Sequence, residues 1–158
     1  ISAFSAGLFG SLGAGASIEN VTFENVYVNV ASDDTNSGGH IAAVAGYADN
    51  TLFENITVKG DVKVESTFES NASSRVAVVL GGNLGKTVKM KNVHVKAEAG
   101  SYLKANNNVG SLAGQLLGTA VIEDCSSNID VTAYKFFAGG IVGNTADKST
   151  IHTLVMRQ

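Results

Sequence analysis

The feature that most constrains this sequence is an internal repeat, which occurs five times in 158 residues. Each copy opens with a short apolar segment that closes in glycine. These segments are Ala6–Gly10, Ala42–Gly46, Val78–Gly82, Gly110–Gly114 and Gly139–Gly143. Successive closing glycines lie 36, 36, 32 and 29 residues apart. A repeat of this length indicates one supersecondary unit per copy, stacked on its neighbours.

Two further elements follow each closing glycine. The second begins seven or eight residues later and reads apolar–polar–Asn-like–apolar, with copies at Ile18–Val21, Phe53–Ile56, Met90–Val93, Ile122–Cys125 and Ile151–Leu154. The third alternates in hydrophobicity and has four copies: Val26–Val30, Val62–Val64, Val95–Ala97 and Ile129–Val131. Connectors rich in Ser, Asn, Asp and Gly are predicted to be loops; they are Ala31–His40, Glu65–Arg75 and Gly100–Asn108.

The residue types and their spacing favour strands over helices. The repeated segments are short and rich in β-branched residues, and no window sustains an apolar stripe with a 3.6-residue period. The sequence contains no proline, as expected where every backbone N–H is needed for strand pairing. We therefore predict an all-β fold, a parallel β-helix (solenoid) of about five coils, with residues 1–158 as a single repeat domain. The handedness of parallel crossover connections predicts a right-handed helix.

Equivalent positions in successive coils are predicted to lie directly over one another. The alignment of the copies gives two inward columns, Leu8/Val44/Leu80/Leu112/Ile141 and Ile18/Phe53/Met90/Ile122/Ile151. Glycine at each corner is expected to allow positive φ and close packing. An outward structural ladder is predicted, because asparagine tolerates the left-handed region and bonds through both amide ends. Its members are Asn20, Asn55 and Asn92, with Asp124 and Thr153 as polar continuations.

The two-part pattern resembles the GLUG motif, a bacterial repeat of the form glycine-leucine-x-glycine followed some eight residues later by isoleucine-x-asparagine-cysteine. Gly7–Gly10 with Ile18–Val21 fits this form, as do Gly140–Gly143 and Ile122–Cys125, whereas the second and third copies have lost some glycines. The resemblance implies a right-handed β-helix from secreted or surface-attached bacterial proteins. Such proteins include adhesin-like proteins and the non-catalytic N-terminal regions of immunoglobulin-A-specific metalloproteases. The resemblance supplies no catalytic residue.

Composition argues against several classes of protein. A net charge of −3 without clustered Lys and Arg is unlike a nucleic-acid-binding surface. The longest apolar run, Val76–Leu80, is far shorter than the roughly 20 residues of a membrane-spanning helix. A single cysteine excludes a disulfide within the chain. Because the sequence begins at Ile1 without a basic n-region, we expect a fragment of a longer exported protein.

No metal site, cofactor or catalytic residue is predicted. His40 falls in a predicted loop, while His94 and His152 alternate with apolar residues and are expected to face solvent; none has a second ligand at metal-binding spacing. Cys125 is expected to act as a small buried hydrophobe. The pair Asp33–Asp34 is a weak calcium candidate, because the loop lacks the residue order of known calcium loops.

One predicted outward column contains the carboxylates Glu19, Glu54 and Glu123, with Lys91 between them. Polysaccharide-cleaving β-helices group carboxylates on adjacent coils with a basic partner. Alternating charge is also typical of a solvated face, and this is the interpretation we favour. Asn71, in a loop, is a plausible glycosylation acceptor.

The weak binding candidates are Tyr102, Tyr134 and Phe137, which could form a shallow stacking platform for a sugar, although loop packing on the coil wall is favoured. The sequence thus predicts a non-catalytic structural or adhesive module of a bacterial cell-surface or secreted protein. Its expected partners are flanking coils or domains of the same polypeptide and a host glycan or protein, with no nucleic acid and no membrane insertion. The alternative is a carbohydrate-active or glycan-binding β-helix.

Overall fold

The computed structural model describes residues 4–31, 39–67, 74–145 and 149–156. Within these ranges the chain contains only β-strands, so no helix is present that is long and apolar enough to span a membrane. In chain order the strands are β1 (Phe4–Ala6), β2 (Phe9–Leu12), β3 (Ser17–Val30), β4 (Gly39–Ala42), β5 (Ala45–Ala48), β6 (Thr51–Ser66), β7 (Arg75–Ala77), β8 (Leu80–Asn83), β9 (Val88–Ala97), β10 (Tyr102–Ala105), β11 (Val109–Gly110), β12 (Ala113–Leu116), β13 (Ala120–Ser127), β14 (Asp130–Ala133), β15 (Ala138–Gly139), β16 (Val142–Thr145) and β17 (Ser149–Met156).

The strands form three parallel sheets. Two of them have five strands each, in the orders β1-β4-β7-β11-β15 and β2-β5-β8-β12-β16. In the third, β6 pairs with β3 on one side and with both β9 and β10 on the other, and β13, β14 and β17 continue the stack. Each strand therefore pairs with its equivalent in the next winding, which confirms the predicted all-β parallel solenoid. The right-handed sense and the number of complete coils stay predictions.

One predicted inward column is confirmed in full register. Ile18 pairs with Phe53, Phe53 with Met90, Met90 with Ile122 and Ile122 with Ile151. The first four side chains are at most 7 % exposed. Full burial of a side chain of this size contributes about 1.5–3 kcal/mol, so this column is a main source of core stability.

The other predicted inward column is wrong at one position and exposed at another. Leu80 pairs with Ala45, so the residue in register with Val44 is Val79. The run Val78–Gly82 is continuously apolar and ends in two glycines, so its period could not fix which residue belongs to the column. Leu8 occupies the expected position but is 65 % exposed, because its layer pairs with a neighbour on one side only among the described residues.

The closing glycines are required for close packing and not for positive φ. The register aligns Gly46, Gly81, Gly114 and Gly143, so the third closing glycine is Gly81 and not Gly82. A Cβ on any of these four would come within 2.5–2.7 Å of backbone atoms. None of them has a positive φ angle, so that part of the prediction is wrong.

The predicted connectors contain strands. Tyr102–Ala105, expected to be a loop, forms β10 and pairs with β6 and β14. It supplies the third repeat element of its layer, whereas Val95–Ala97, predicted for that role, continues β9. His40, also expected in a loop, lies in β4 and is 1 % exposed. The positions of the calcium and glycosylation candidates, residues 33–34 and 71, lie outside the described residues.

Candidate functional site

The outer surface carries a ladder of asparagine side chains. Nδ2 of Asn55 donates to Oδ1 of Asn20 at 2.9 Å, and Nδ2 of Asn92 donates to Oδ1 of Asn55 at 2.8 Å. All three residues have φ between 53° and 57°, the left-handed region in which asparagine is tolerated better than most residues. The ladder bends the long strands β3, β6 and β9 at one corner and joins successive windings there.

The ladder ends at a histidine. Asp124, with φ of 51°, follows Asn92 in register, but a carboxylate has no N–H to donate. Nε2 of His94 instead lies 2.7 Å from Oδ1 of Asn92, and Nδ1 lies 2.7 Å from the hydroxyl of Ser126. Because the amide oxygen only accepts, His94 donates from Nε2; in the neutral tautomer Nδ1 then accepts from the Ser126 hydroxyl. Burial, followed by the charge of Lys96, lowers the pKa of His94 and favours this form.

The carboxylates of interest form one outward column, in which a lysine separates the last two glutamates. Glu19 lies in register with Glu54, Glu54 with Lys91 and Lys91 with Glu123. The ammonium of Lys91 lies 3.5 Å from Glu54 Oε1. A similar exposed pair, Lys59 with Glu24 at 3.3 Å, joins the same two sheet layers as the glutamates Glu19 and Glu54. Such exposed pairs contribute roughly 0–1 kcal/mol each, and here they compensate charge along the stack.

A second outward surface lies on the part of the third sheet that follows the ladder corner. We call it the tyrosine face and define it by two adjacent columns of side chains that alternate with buried residues: Tyr27/Lys63/Tyr102/Asp130 and Asn29/Glu65/Lys104/Thr132. Tyr27 is 65 % exposed and Tyr102 is partly exposed. The two tyrosines stand two layers apart, with Lys63 between them.

Polar contacts order the tyrosine face. The Tyr102 hydroxyl donates to Oε2 of Glu65 at 3.4 Å, and Nζ of Lys104 lies 4.1 Å from the centre of the Tyr102 ring. Nδ2 of Asn29 donates to the Tyr27 hydroxyl at 3.3 Å. The hydrogen bond to Asp61, at 2.7 Å, raises the pKa of Lys63. The face thus carries aromatic rings, amide and hydroxyl groups, and paired charges.

The structure does not bring the three sequence-predicted aromatic residues together. Tyr102 lies opposite Asp130, and Tyr134 follows Asp130 by four residues, about 13 Å further along the chain. Tyr134 belongs instead to an exposed turn with Phe136 and Phe137, whose rings are 6.4 Å apart. Sequence reasoning missed Tyr27, although its place between two inward-facing valines in a strand was a signal that it faces outward.

A buried polar group lies near the start of β4. His40 stands in register with Arg75 and makes an edge-on contact with the ring of Tyr47 at 5.5 Å between centroids. Neither of its ring nitrogens has a hydrogen-bond partner within the described ranges. Burial, and then the charge of Arg75, lower the pKa of His40 to about 4. The Nε of Arg75 donates to Oε1 of Gln115, and burial lowers the pKa of this guanidinium too.

The remaining chemical candidates are accounted for by their surroundings. Cys125 is buried, and burial raises the pKa of its thiol to about 11. In the part of the chain that the structure describes, no three His, Cys, Asp or Glu side chains are grouped to hold a metal ion. The side chains of His152 and of Thr153, the last predicted ladder residue, lie outside the described residues.

Comparison with known proteins returns one family. Residues 105–132 match the family model of the GLUG motif, and this stretch contains the fourth copy of the repeat. No curated protein and no solved structure matches the chain. The match together with the solenoid confirms the sequence resemblance to GLUG repeat proteins.

Proposed function

We propose that this chain is a non-catalytic structural and adhesive module, a rigid β-solenoid that displays a ligand-binding surface on an exported bacterial protein. In this proposal the module works outside the cell or at its surface. Its partners are flanking coils or domains of the same polypeptide, together with a host glycan or protein. The GLUG motif and the solenoid fold support the role of a repeat module.

The observation that carries this proposal is the regular register of the outward columns. Side chains on the outer faces are bonded to their counterparts in neighbouring windings, as in the ladder of Asn20, Asn55 and Asn92. Glu54 lies beside Glu19 in register on one side and is paired with Lys91 on the other, so a cation from the next winding partners its carboxylate. A surface that satisfies its own polar groups along the stack is suited to rigid display.

The unpaired edges of the described layer formed by β1, β2 and β3 support the proposal that a further coil or domain of the same polypeptide packs there. Strands β1, β2 and β3 pair on one side only among the described residues. Leu8 and Phe9, in the same layer, are exposed. Unpaired strand edges next to exposed apolar side chains promote association, and a further coil or domain would cover them.

The absence of catalysis is tested by a reducing-end assay on a panel of plant and animal polysaccharides. We expect the protein to release no more reducing ends from these polysaccharides than the buffer control does. Release by the wild type that disappears in Glu54→Gln but persists in Glu24→Gln would overturn the proposal in favour of a carbohydrate-active enzyme. The matched control removes a carboxylate of the same type, paired to a lysine in the same way.

The surface location is tested with intact bacteria that produce the parent protein. We expect mild protease treatment of whole cells to remove an epitope placed in the exposed turn at Phe136. An epitope that survives until the cells are lysed would contradict the proposed location.

A further inference from the structure

The two tyrosines of the tyrosine face form a linear arrangement. Tyr27 and Tyr102 both pair in register with Lys63, from opposite sides, so one column holds all three side chains. Layers of a sheet are about 4.8 Å apart, which places the two tyrosine positions about 10 Å apart along the axis of the stack.

We propose that the tyrosine face binds an extended, uncharged polysaccharide that lies along the stack, across the strands. Each tyrosine ring packs against the C–H face of one sugar ring, and the polar side chains of the face bond to the sugar hydroxyls. This inference rests on the proposed function of a display scaffold and names the ligand class and the surface that takes it.

The balance of charge on the face selects an uncharged ligand. Its two cations, Lys63 and Lys104, are accompanied by the three carboxylates of Asp61, Glu65 and Asp130. Such a surface has no excess positive potential to attract a polyanion. Mixed donors and acceptors beside exposed aromatic rings match a ligand that presents both hydroxyl groups and apolar C–H faces.

The polar groups are already positioned to meet hydroxyls. Glu65 accepts a hydrogen bond from the Tyr102 hydroxyl and Asn29 donates one to the Tyr27 hydroxyl, and each side chain can make further hydrogen bonds. Lys104 contacts one side of the Tyr102 ring, which fixes the ring orientation. Little side-chain freedom is then lost when a ligand binds, and this favours affinity.

Calorimetric titration with oligosaccharides of known length tests the inference. The probes are the hexamers cellohexaose, xylohexaose and mannohexaose, their dimers cellobiose, xylobiose and mannobiose, and hexagalacturonate as an extended anionic counterpart. We expect at least one neutral hexamer to bind, and to bind at least about tenfold more tightly than its dimer, because only the longer chain reaches both tyrosines.

Substitutions locate the site. Tyr27→Ala and Tyr102→Ala should each weaken binding roughly 2- to 10-fold, the range expected for loss of one aromatic contact. Tyr27→Phe and Tyr102→Phe keep the aromatic ring and should reduce the affinity for the oligosaccharide less than the alanine substitutions do. Tyr134→Ala is the matched control, because this tyrosine is also exposed, at 62 %, but lies outside the face. Unchanged melting of each variant excludes unfolding as the cause.

The outcomes separate the inference from the proposed function. The inference is overturned if no neutral hexamer binds the wild type, or if hexagalacturonate binds best and salt abolishes its binding. It is also overturned if Tyr134→Ala weakens binding as much as Tyr27→Ala does. Each of these results leaves the scaffold proposal standing. Release of reducing ends from the neutral hexamers would instead refute the non-catalytic function.

Discussion

Lowering the pH from about 7.5 to about 4.5 should destabilise this protein through one buried residue, His40. Its ring is 1 % exposed, and its nitrogens have no hydrogen-bond partner within the described ranges. The groups that face it are Arg75 on β7, Tyr47 on β5 and the backbone of Gly82 on β8. Among these Arg75 is the charged group, and it has the same sign as a protonated imidazole. Protonation in the folded state is therefore opposed by both burial and repulsion.

The size of the effect follows from the displaced pKa. The pKa of His40 is about 4 in the folded protein against an ordinary 6.5. The unfolded chain therefore takes up a proton near pH 6.5, whereas the folded chain does so only near pH 4. The stabilisation is fully present above 6.5 and is lost as the pH falls from 6.5 to 4. The loss amounts to ~3 kcal/mol, a large part of the roughly 5–15 kcal/mol stability of a typical domain.

Urea denaturation at a series of pH values, followed by circular dichroism, measures this loss. His40→Leu removes the titrating group, so the fall in the free energy of unfolding between pH 6.5 and 4 should shrink by ~3 kcal/mol relative to the wild type. Carboxylates titrate in both proteins and cancel in the comparison. His94→Gln should change the pH dependence less, because its imidazole is partly solvated. An unchanged pH dependence in His40→Leu would refute the reasoning.

Three further predictions concern the ladder, the closing glycines and the thiol. Asn55→Ala should lower the free energy of unfolding by about 3 kcal/mol, because it removes two side-chain hydrogen bonds and leaves alanine at φ of 53°. Gly114→Ala should cost about 2 kcal/mol or more, because its methyl group would come within 2.6 Å of a backbone nitrogen. The buried thiol of Cys125, with its raised pKa, should react with a disulfide reagent at pH 8 only after denaturation.

Each of these three predictions has a control measurement on the same protein. Asn55→Gly keeps the left-handed backbone and should cost less than Asn55→Ala in urea denaturation. Gly13→Ala adds a methyl group with no atom within 4 Å and should leave stability nearly unchanged, so equal losses in Gly13→Ala and Gly114→Ala would contradict the packing argument. Labelling of native Cys125 as fast as that of the denatured chain would show that the thiol is accessible.

Some features of the fold follow from local sequence alone. Alternation around Ile18, Phe53, Met90 and Ile122 defines the buried side of each winding, because only one register hides every apolar residue. Asparagine two residues after Ile18, Phe53 and Met90 marks the corner, and Asp124 does so after Ile122, because few other residues accept positive φ. These signals are carried by individual residues and are readable without knowledge of their neighbours.

Features that depend on a neighbouring winding could not be predicted from the local sequence. Tyr102–Ala105 looks like part of a polar connector, and it becomes a strand because β6 and β14 offer edges on both sides. His40 looks like a loop residue, and it is buried because it lies in β4, which pairs with β1 on one side and β7 on the other. The GLUG motif itself is matched over residues 105–132, whereas the winding continues through copies in which the motif is degraded.

The sequence by itself determined that this chain winds into stacked parallel strands, with apolar columns inside and an asparagine corner outside. Tertiary structure alone decided which residue of the run Val78–Gly82 takes the column position, and which exposed tyrosines share a surface. The physical reason is that alternation sets the direction of a side chain relative to its own strand. Register, by contrast, is set by hydrogen bonds between windings some 30 to 40 residues apart.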